Sequence, residues 1–262
     1  MNRRTLSNTV DISGVGLHSG RVCRARLRPA TPGHGITVND HVLCPELLCS
    51  SALATTLQTA KGPVSTVEHL FAALHGQGID DVAIDVEGAE VPILDGSAEP
   101  WARLLDWVEQ AEGDPNVFTL KEMVHVGDEQ RYIKALPAEQ LSISVDVDFP
   151  ELGRQRYSQT ARGWSSAAPA RTFGFRSDAA RLHASGLALG ANLDNTLVFD
   201  QGKPMNAGGL RFNNEVARHK WIDLFGDLLL LGFRLQARVI AYCNGHELHH
   251  EFVRALARLE HT

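Results

Sequence analysis

The pattern of hydrophobic and polar positions predicts short strands followed by helices in the first half of the chain. A β-like run covers residues 21–27, and alternation over 81–86 predicts a half-buried strand. Residues 65–75 are expected to form a helix, because apolar side chains recur there at helical spacing. Those side chains are Val67, Leu70, Phe71 and Leu74. A second helix is expected over 97–110, after the turn at Asp95-Gly96.

The second half of the chain shows a similar series of elements. A β-like run covers 141–148, a longer helix is expected over 214–231, a strand over 237–242 and a final helix over 246–259. Strands, helix, strand and helix therefore occur twice, although few residues are identical between the halves. This predicts an α+β fold of two similar domains that arose by internal duplication.

The connection between the halves is predicted at 112–116, where acidic residues, Gly and Pro interrupt the helical pattern. The expected domains are residues 1–114, which carry Glu68 and His69, and residues 115–262.

Composition and charge exclude several classes of protein. The 262 residues carry a formal net charge of -6, which argues against a nucleic-acid partner. No apolar run is long enough to span a bilayer, and we expect neither membrane insertion nor a secretory signal. The four cysteines lack a CxxC pair, so we expect free thiols and a cytoplasmic location, although Cys44 and Cys49 are close enough in sequence for a metal site. The expected assembly is a monomer.

Two short segments carry side chains that suit a metal. His219 and Asp223 are four residues apart and lie on one face of the predicted helix 214–231. Glu68-His69 stands on the corresponding helix of the first half. If the duplicated helices pack together, three ligands and an adjacent carboxylate meet, as catalytic zinc requires. The alternative is a set of ordinary surface contacts, and spacing alone leaves it open.

Three further residues are candidates for proton transfer or charge stabilisation. His246 follows a strand at the start of the last helix and titrates near neutrality, and Asp227 lies one turn beyond Asp223. Thr172 offers a hydroxyl beside Arg171. Helix capping and strand packing are the alternatives. The neighbouring His249 and His250 are expected to face solvent.

Motifs along almost the whole chain resemble those of the bacterial UDP-3-O-acyl-N-acetylglucosamine deacetylases, zinc enzymes of lipid A biosynthesis. The matching segments are, in family order, 14–20, 65–70, 92–97, 171–175, 209–212, 218–220 with Asp223, 226–227 and 245–246. The resemblance implies two domains, each a β-sheet layer packed on helices, with the active site between them. It implies that the substrate is an acylated nucleotide sugar whose 2-acetamido group is hydrolysed.

The same resemblance assigns roles to individual residues. It implies zinc on His69, His219 and Asp223, with Glu68 as the general base. The other implied catalytic residues are Thr172 at the oxyanion and His246, supported by Asp227, as the acid for the leaving amine. The implied substrate contacts are Lys220 with the phosphates, Phe173 with the sugar, Asp148 and Phe149 with the uridine, and Leu17, Ala188 and Val198 along the acyl chain. The acyl passage is expected at 176–199, an inserted helix with flanking strands.

Four departures from the family pattern concern the nucleotide end and the rim of the site. The stretch 36–56 is short, Ala52 and Ala54 replace bulkier residues, Pro150 follows Phe149 directly, and Cys243 stands where a lysine is usual. A zinc deacetylase of another N-acyl sugar or amide, or a catalytically silent binding protein, therefore remains an alternative.

Overall fold

The computed structural model describes residues 2–110 and 113–260, which form nineteen strands and five α-helices. The strands of the first half are β1 (Arg4–Leu6), β2 (Val10–Val15), β3 (Val22–Pro29), β4 (Ile36–Val38), β5 (His41–Val42), β6 (Leu48–Ser50), β7 (Thr56–Thr59), β8 (Gly62–Ser65), β9 (Val82–Glu87) and β10 (Trp107–Glu109). Those of the second half are β11 (Val117–Thr119), β12 (Val124–Gly127), β13 (Tyr132–Pro137), β14 (Ser142–Phe149), β15 (Gly153–Thr160), β16 (Phe173–Phe175), β17 (Leu197–Asp200), β18 (Lys203–Pro204) and β19 (Arg234–Tyr242). The helices are α1 (Glu68–Gln77), α2 (Glu99–Leu104), α3 (Ala179–Ala184), α4 (Glu215–Asp227) and α5 (His246–Glu260). Short 3-10 helices cover Pro45–Leu47, Ala161–Ser166, Arg176–Asp178 and Leu228–Leu231.

Two larger sheets share one strand order. The first is ordered β2-β3-β9-β4-β5, with β9 antiparallel to β3 and parallel to β4. The second is ordered β12-β13-β19-β14-β15, with β19 antiparallel to β13 and parallel to β14; β11 pairs with β19 as well. In each sheet the central strand follows one helix, α1 or α4, and precedes another, α2 or α5. Several sheets with few helices agree with the α+β prediction.

Alternating side chains turn one face of each large sheet toward the interior. In β3, Cys23, Ala25 and Leu27 are buried while their neighbours are exposed, which is the period of a half-buried strand. In β19, Leu235 and every second residue after it are buried in the same way. The buried apolar residues of both sheets and of the helices form one cluster that extends from Leu6 to Leu256.

Helices α1 and α4 pack directly against each other, and α4 also packs on β14 and β15. A Cβ added at Gly226 would lie 2.1 Å from the carbonyl oxygen of Glu68 and 3.0 Å from the amide nitrogen of Ala72. One turn along α1, the His75 ring stacks on Phe225 with 4.2 Å between the ring centres, and its Nδ1 donates to the Phe225 carbonyl. Because Gly226 has no side chain, the two backbones can touch at this point.

Three smaller sheets connect the helices with the surface. β6, β7 and β8 form an antiparallel sheet that leads into α1. β16, β17 and β18 form a mixed sheet, with β16 parallel and β18 antiparallel to β17. The segment 176–199 that is expected as an insertion contains α3 and most of β17, and it lies between β16 and β18. β1 pairs with β10.

The expected helix over 97–110 is wrong beyond its first turns. α2 ends at Leu104, and Trp107–Glu109 forms β10, because these residues pair with β1 near the amino terminus. That partner lies about a hundred residues away in sequence, so a local pattern does not reveal it.

The boundaries of the two site helices also differ from the prediction. The helix expected over 65–75 begins at Glu68, because Ser65 belongs to β8 and Thr66 has a left-handed backbone with φ of 59°. In the segment 214–231 the α-helix ends at Asp227 and continues as a 3-10 turn. Of the predicted connection 112–116, residue 112 lies outside the described residues, and the division into two domains stays a prediction. None of the helices described is both long and apolar enough to cross a membrane.

The contact at Gly226 leads to a stability prediction. Gly226→Ala is expected to lower the free energy of unfolding by about 1–3 kcal/mol, since the added methyl group overlaps the Glu68 carbonyl and α4 must move away from α1. Gly208→Ala is the matched control, because no atom lies within 4 Å of its added Cβ. Denaturant unfolding of both variants measures the difference, and equal stabilities would contradict the proposed close contact.

Candidate functional site

Three buried side chains direct their ligand atoms toward one point between α1 and α4. His69 lies in the first turn of α1, and His219 and Asp223 lie one turn apart on α4. Their ligand atoms are all within 4.8 Å of one another. Oδ1 of Asp223 is 3.2 Å from Nε2 of His219 and 3.8 Å from Nε2 of His69. The structure therefore brings together the three residues predicted to bind the metal.

The hydrogen bonds around these atoms leave a space that suits a cation. Nδ1 of His219 donates to the carbonyl of Ala170 at 3.1 Å, so Nε2 presents a lone pair in the neutral ring. Burial keeps the ring neutral by lowering the pKa of His219, and it lowers that of His69 to about 3. Among the described residues, none donates a hydrogen bond to the buried Oδ1 of Asp223. The Nε2 lone pair of His219 thus faces an Asp223 oxygen that has no donor, an arrangement that a bound cation would stabilise.

The other carboxylate oxygen of Asp223 accepts a hydrogen bond from Nζ of Lys220 at 2.9 Å. Burial alone would raise the pKa of Asp223, but the adjacent His219 and Lys220 hold it well below its usual range. Asp223 is therefore an anion, as a metal ligand must be. The ammonium group of Lys220, expected to contact phosphates, is engaged with this ligand in the structure.

Glu68 lies beside the three candidate ligands and is almost completely buried. Its Oε2 accepts a hydrogen bond from the backbone N–H of Thr55 at 3.2 Å. Its Oε1 lies 3.7 Å from Nε2 of His246. Burial raises the pKa of Glu68 to about 7, helped by the negative charge of Asp227 and Asp223 and opposed by His246. A carboxyl group with this pKa can exchange a proton near neutral pH.

Asp227 and His246 form a buried pair at the ends of α4 and α5. Oδ2 of Asp227 accepts a hydrogen bond from Nδ1 of His246 at 3.0 Å, which leaves Nε2 of the ring facing Glu68. Burial would lower the pKa of His246, but the charges of Asp227 and Glu68 outweigh it and raise the pKa to about 9. The ring is therefore protonated at neutral pH, the state that a general acid needs.

The prediction that His249 and His250 face solvent is wrong. His249 is fully buried, and its Nδ1 donates to Oδ2 of Asp227 at 2.7 Å. His250 is 4% exposed, and its Nε2 lies 3.0 Å from the hydroxyl oxygen of Thr55. Spacing was the available signal, because positions three and four residues after His246 share its face of α5.

A second group of metal-ligating side chains consists of Asp227, His246 and His249. Here both imidazole Nδ1 atoms lie within 2.7–3.0 Å of the carboxylate oxygen, the distances of N–H donors to an acceptor. The Asp227 oxygen thus already accepts N–H hydrogen bonds from both imidazoles, whereas Oδ1 of Asp223 has no donor among the described residues. In the part of the chain that the structure describes, no cysteine belongs to either group, and all four cysteines are free thiols.

Aromatic side chains border the candidate metal centre on the side of β16. The Phe173 ring packs edge-on against His219, with 6.1 Å between the ring centres, and Nζ of Lys220 lies 5.8 Å from the Phe173 centre. Phe149 packs edge-on against Phe173 at 5.4 Å. Asp148 precedes Phe149 at the end of β14 and is exposed. Of the predicted substrate contacts, Phe173, Lys220 and Phe149 thus form a connected group beside His219, and Asp148 is the chain neighbour of Phe149.

Thr172 immediately precedes β16, and its backbone N–H donates to the Gly96 carbonyl at 2.7 Å. The turn at Gly96 approaches closely, with 3.1 Å between its added Cβ and the Thr172 methyl carbon. These contacts fix the backbone beside Phe173. The contacts of the Thr172 hydroxyl that its predicted role requires stay a prediction.

The residues expected along the acyl chain fall into two places. The loop 14–20 contacts the segment after α3, since the N–H of Gly190 donates to the carbonyl of Leu17 and that of Ala188 to Nδ1 of His18. Glu90 holds this loop by accepting hydrogen bonds from the N–H groups of His18 and Ser19 and from the hydroxyl of Thr66, just before α1. Val198 lies in β17, opposite Gly174.

Sequence comparison finds related proteins for almost the whole chain. The model of the family described as UDP-3-O-acyl N-acetylglycosamine deacetylase matches residues 3–258. A UDP-3-O-acyl-N-acetylglucosamine deacetylase of Oleidesulfovibrio alaskensis is 40% identical, over 99% of this chain and 90% of the relative. Proteins of the same name from Myxococcus xanthus and Haemophilus influenzae are 40% and 36% identical, over 97% and 98% of this chain and 85% and 90% of the relatives.

Proposed function

We propose, since the chain belongs to the UDP-3-O-acyl N-acetylglycosamine deacetylase family, that it hydrolyses the 2-acetamido group of UDP-3-O-acyl-N-acetylglucosamine to a free amine and acetate. This reaction would place it in lipid A biosynthesis. The observation that carries the proposal is the buried group of His69, His219 and Asp223 beside Glu68 and His246. A binding protein has no need to bury a carboxyl group whose pKa is raised to about 7 beside an imidazole that nearby carboxylates keep protonated.

The donor set is the reason to propose zinc as the metal. Two imidazole nitrogens and one carboxylate oxygen are a ligand set of catalytic zinc, which keeps a fourth position open. When bound, zinc supplies Lewis acidity toward water and the amide carbonyl. The hydrogen bonds to Ala170 and Lys220 orient two of the three ligands.

Glu68 is the proposed general base. Its Oε2 is engaged by the N–H of Thr55, so Oε1 is the atom that takes the proton from the attacking water. Its pKa of about 7 lets it accept that proton and release it within one turnover at neutral pH. Burial excludes bulk water from the carboxylate, which keeps it available for this proton.

His246 is the proposed general acid for the leaving amine. Nδ1 is engaged with Asp227, so the proton at Nε2 is the one transferred to the amine nitrogen as its bond to the carbonyl carbon breaks. The proton held by Glu68 can then return to His246 across the 3.7 Å that separates Oε1 from Nε2. The balance is one amide and one water consumed, and one amine, one acetate and one proton formed.

The remaining proposed contacts follow the order of the side chains outward from the ligands. The Thr172 hydroxyl would stabilise the oxyanion, Phe173 would pack on the sugar, and Lys220 would approach the phosphates. Asp148 and Phe149 would contact the uridine. Leu17, Ala188 and Val198 would border the acyl chain along 176–199. The Phe173 ring packs against His219 and Nζ of Lys220 lies over that ring, while Phe149 packs on the Phe173 ring, which supports this order.

We also propose that the two halves derive from an internal duplication, with the active site between two domains. The support is the shared order and direction of strands in the two large sheets and the corresponding positions of α1 and α4. Ligands then come from equivalent helices of both halves. A monomeric state and a cytoplasmic location stay predictions.

One observation favours a second candidate, a zinc deacetylase of another N-acyl sugar or amide. Cys243, with its left-handed φ of 45°, precedes His246 at the position where the resemblance led us to expect a lysine, and Pro150 follows Phe149 directly. The chain therefore offers one cation fewer for a diphosphate. The metal ligands and proton-transfer groups are the same in both proposals.

A substrate panel tests the proposed function. The zinc-loaded protein is assayed for acetate release from UDP-3-O-acyl-N-acetylglucosamine, UDP-N-acetylglucosamine and a 3-O-acyl-N-acetylglucosamine without UDP. We expect the highest kcat/KM for the first compound, and Glu68→Gln should lower it by about 10²–10⁴-fold with zinc retained. The exposed Glu87→Gln is the matched control. Preference for a compound that lacks UDP or the acyl chain would favour the second candidate, and no hydrolysis at all would favour a binding protein.

The pair of Asp227 and His246 predicts a pH dependence. As the acid, His246 must be protonated, so activity is present below its pKa of about 9 and lost above it. Asp227→Asn removes the charge that raises this pKa, and the alkaline limb of kcat/KM should move to lower pH by about one unit or more. The exposed Asp40→Asn is the control. An alkaline limb that stays in place would contradict the role of Asp227.

A further inference from the structure

Thr55 occupies a fully buried position that connects the two proton-transfer groups of the site. It precedes β7, and β7 pairs with β8. β8 ends at Ser65, three residues before α1 begins at Glu68. This hairpin brings Thr55 beside Glu68, thirteen residues later in the sequence. No motif that suggested the function includes this threonine.

Every polar atom of Thr55 near the site is engaged there. The backbone N–H donates to Oε2 of Glu68 at 3.2 Å. The hydroxyl donates to Oδ1 of Asp227 at 2.6 Å and lies 3.0 Å from Nε2 of His250 and 3.1 Å from Nδ1 of His246. A hydroxyl has one donor and two acceptor sites, so these three contacts use its whole capacity.

We propose that Thr55 is the positioning residue that sets the distance between the catalytic base and the catalytic acid. Its backbone fixes Oε2 of Glu68, and its hydroxyl fixes Asp227 and the Nδ1 side of the His246 ring. The positions of the Glu68 and His246 side chains therefore both depend on Thr55, and not only on the helices α1 and α5 that carry them. This inference rests on the proposed roles of Glu68 and His246.

The contacts explain why Oε1 of Glu68 and Nε2 of His246 lie 3.7 Å apart and face each other. Each group has one side bound to Thr55 or its partner Asp227, and the free atom of each points into the same gap. Without the hydroxyl, Oδ1 of Asp227 loses the hydrogen bond from Thr55, and Nε2 of His250 loses its acceptor. The Asp227 carboxylate can then rotate, and His246, which is bonded to its other oxygen, moves with it.

Thr55→Val tests the proposal because it removes the hydroxyl, keeps the shape of the side chain and retains the backbone N–H. We expect kcat to fall about 10- to 100-fold, with KM within about twofold of the wild-type value and zinc content unchanged. Thr55→Ser restores the hydroxyl and should return kcat to within about threefold of wild type. Thr59→Val is the matched control, because it removes another buried hydroxyl that binds only Gly62 and Asn39.

A kcat for Thr55→Val close to that of the wild type would overturn the proposal. The same holds if zinc content, KM and thermal stability change together and Thr55→Ser restores none of them, since Thr55 would then be merely structural.

A second measurement does not depend on activity. Proton NMR should show a downfield Nδ1–H resonance for His246, bonded to the buried carboxylate of Asp227 and protected from exchange. His246→Gln and His249→Gln assign the two imidazole resonances. We expect the His246 signal to persist in Thr55→Ser and to be lost or shifted in Thr55→Val. An unchanged signal in Thr55→Val contradicts the proposal. If the wild-type protein releases no acetate from UDP-3-O-acyl-N-acetylglucosamine, the proposed function fails, and this spectrum still decides whether Thr55 fixes His246.

Discussion

The contact between α1 and α4 at Gly226 is the constraint on which the candidate site depends. A methyl group at Gly226 would overlap the carbonyl oxygen of Glu68, so only glycine lets the two backbones approach this closely. His69 lies on one helix and His219 and Asp223 lie on the other, and their ligand atoms converge only at this separation. The stack of His75 on Phe225 extends the contact along both helices. The packing of two core helices thereby determines the geometry of the candidate metal centre.

Burial of charge is the second constraint, because an uncompensated ion in the interior is expensive. Asp227 is compensated by donors from Thr55, His246 and His249. One oxygen of Asp223 is compensated by Lys220, and the other has no donor among the residues described. Of these two buried carboxylates, the oxygen without a donor among the residues described is thus the one at which the three proposed ligands meet. A divalent cation at that point would complete the balance, and it would use the lone pairs of both imidazoles.

Sequence patterns were sufficient for those parts of the molecule that depend on local periodicity. The two site helices and the pairing of His219 with Asp223 follow from helical spacing, within a few residues at the ends. The duplicated pattern of elements gave a reason for His69 to meet the pair on α4, and the family motifs strengthened that prediction. β10 was missed because its partner strand is remote in sequence. Thr55 was missed because the hairpin β7–β8 brings it to Glu68, and a hairpin contact leaves no periodic signal. His249 and His250 have the pattern of exposed polar helix positions, but His249 is buried on the carboxylate of Asp227 and His250 on the hydroxyl of Thr55.

Anomalous diffraction at the zinc absorption edge from crystals of the zinc-loaded protein tests the central claim most directly. The account predicts one strong peak between α1 and α4, about 2.0–2.2 Å from Nε2 of His69, Nε2 of His219 and Oδ1 of Asp223. A peak at Asp227, His246 and His249, the other group of ligand atoms, would contradict it. So would stoichiometric zinc bound at a site that includes none of the three predicted ligands.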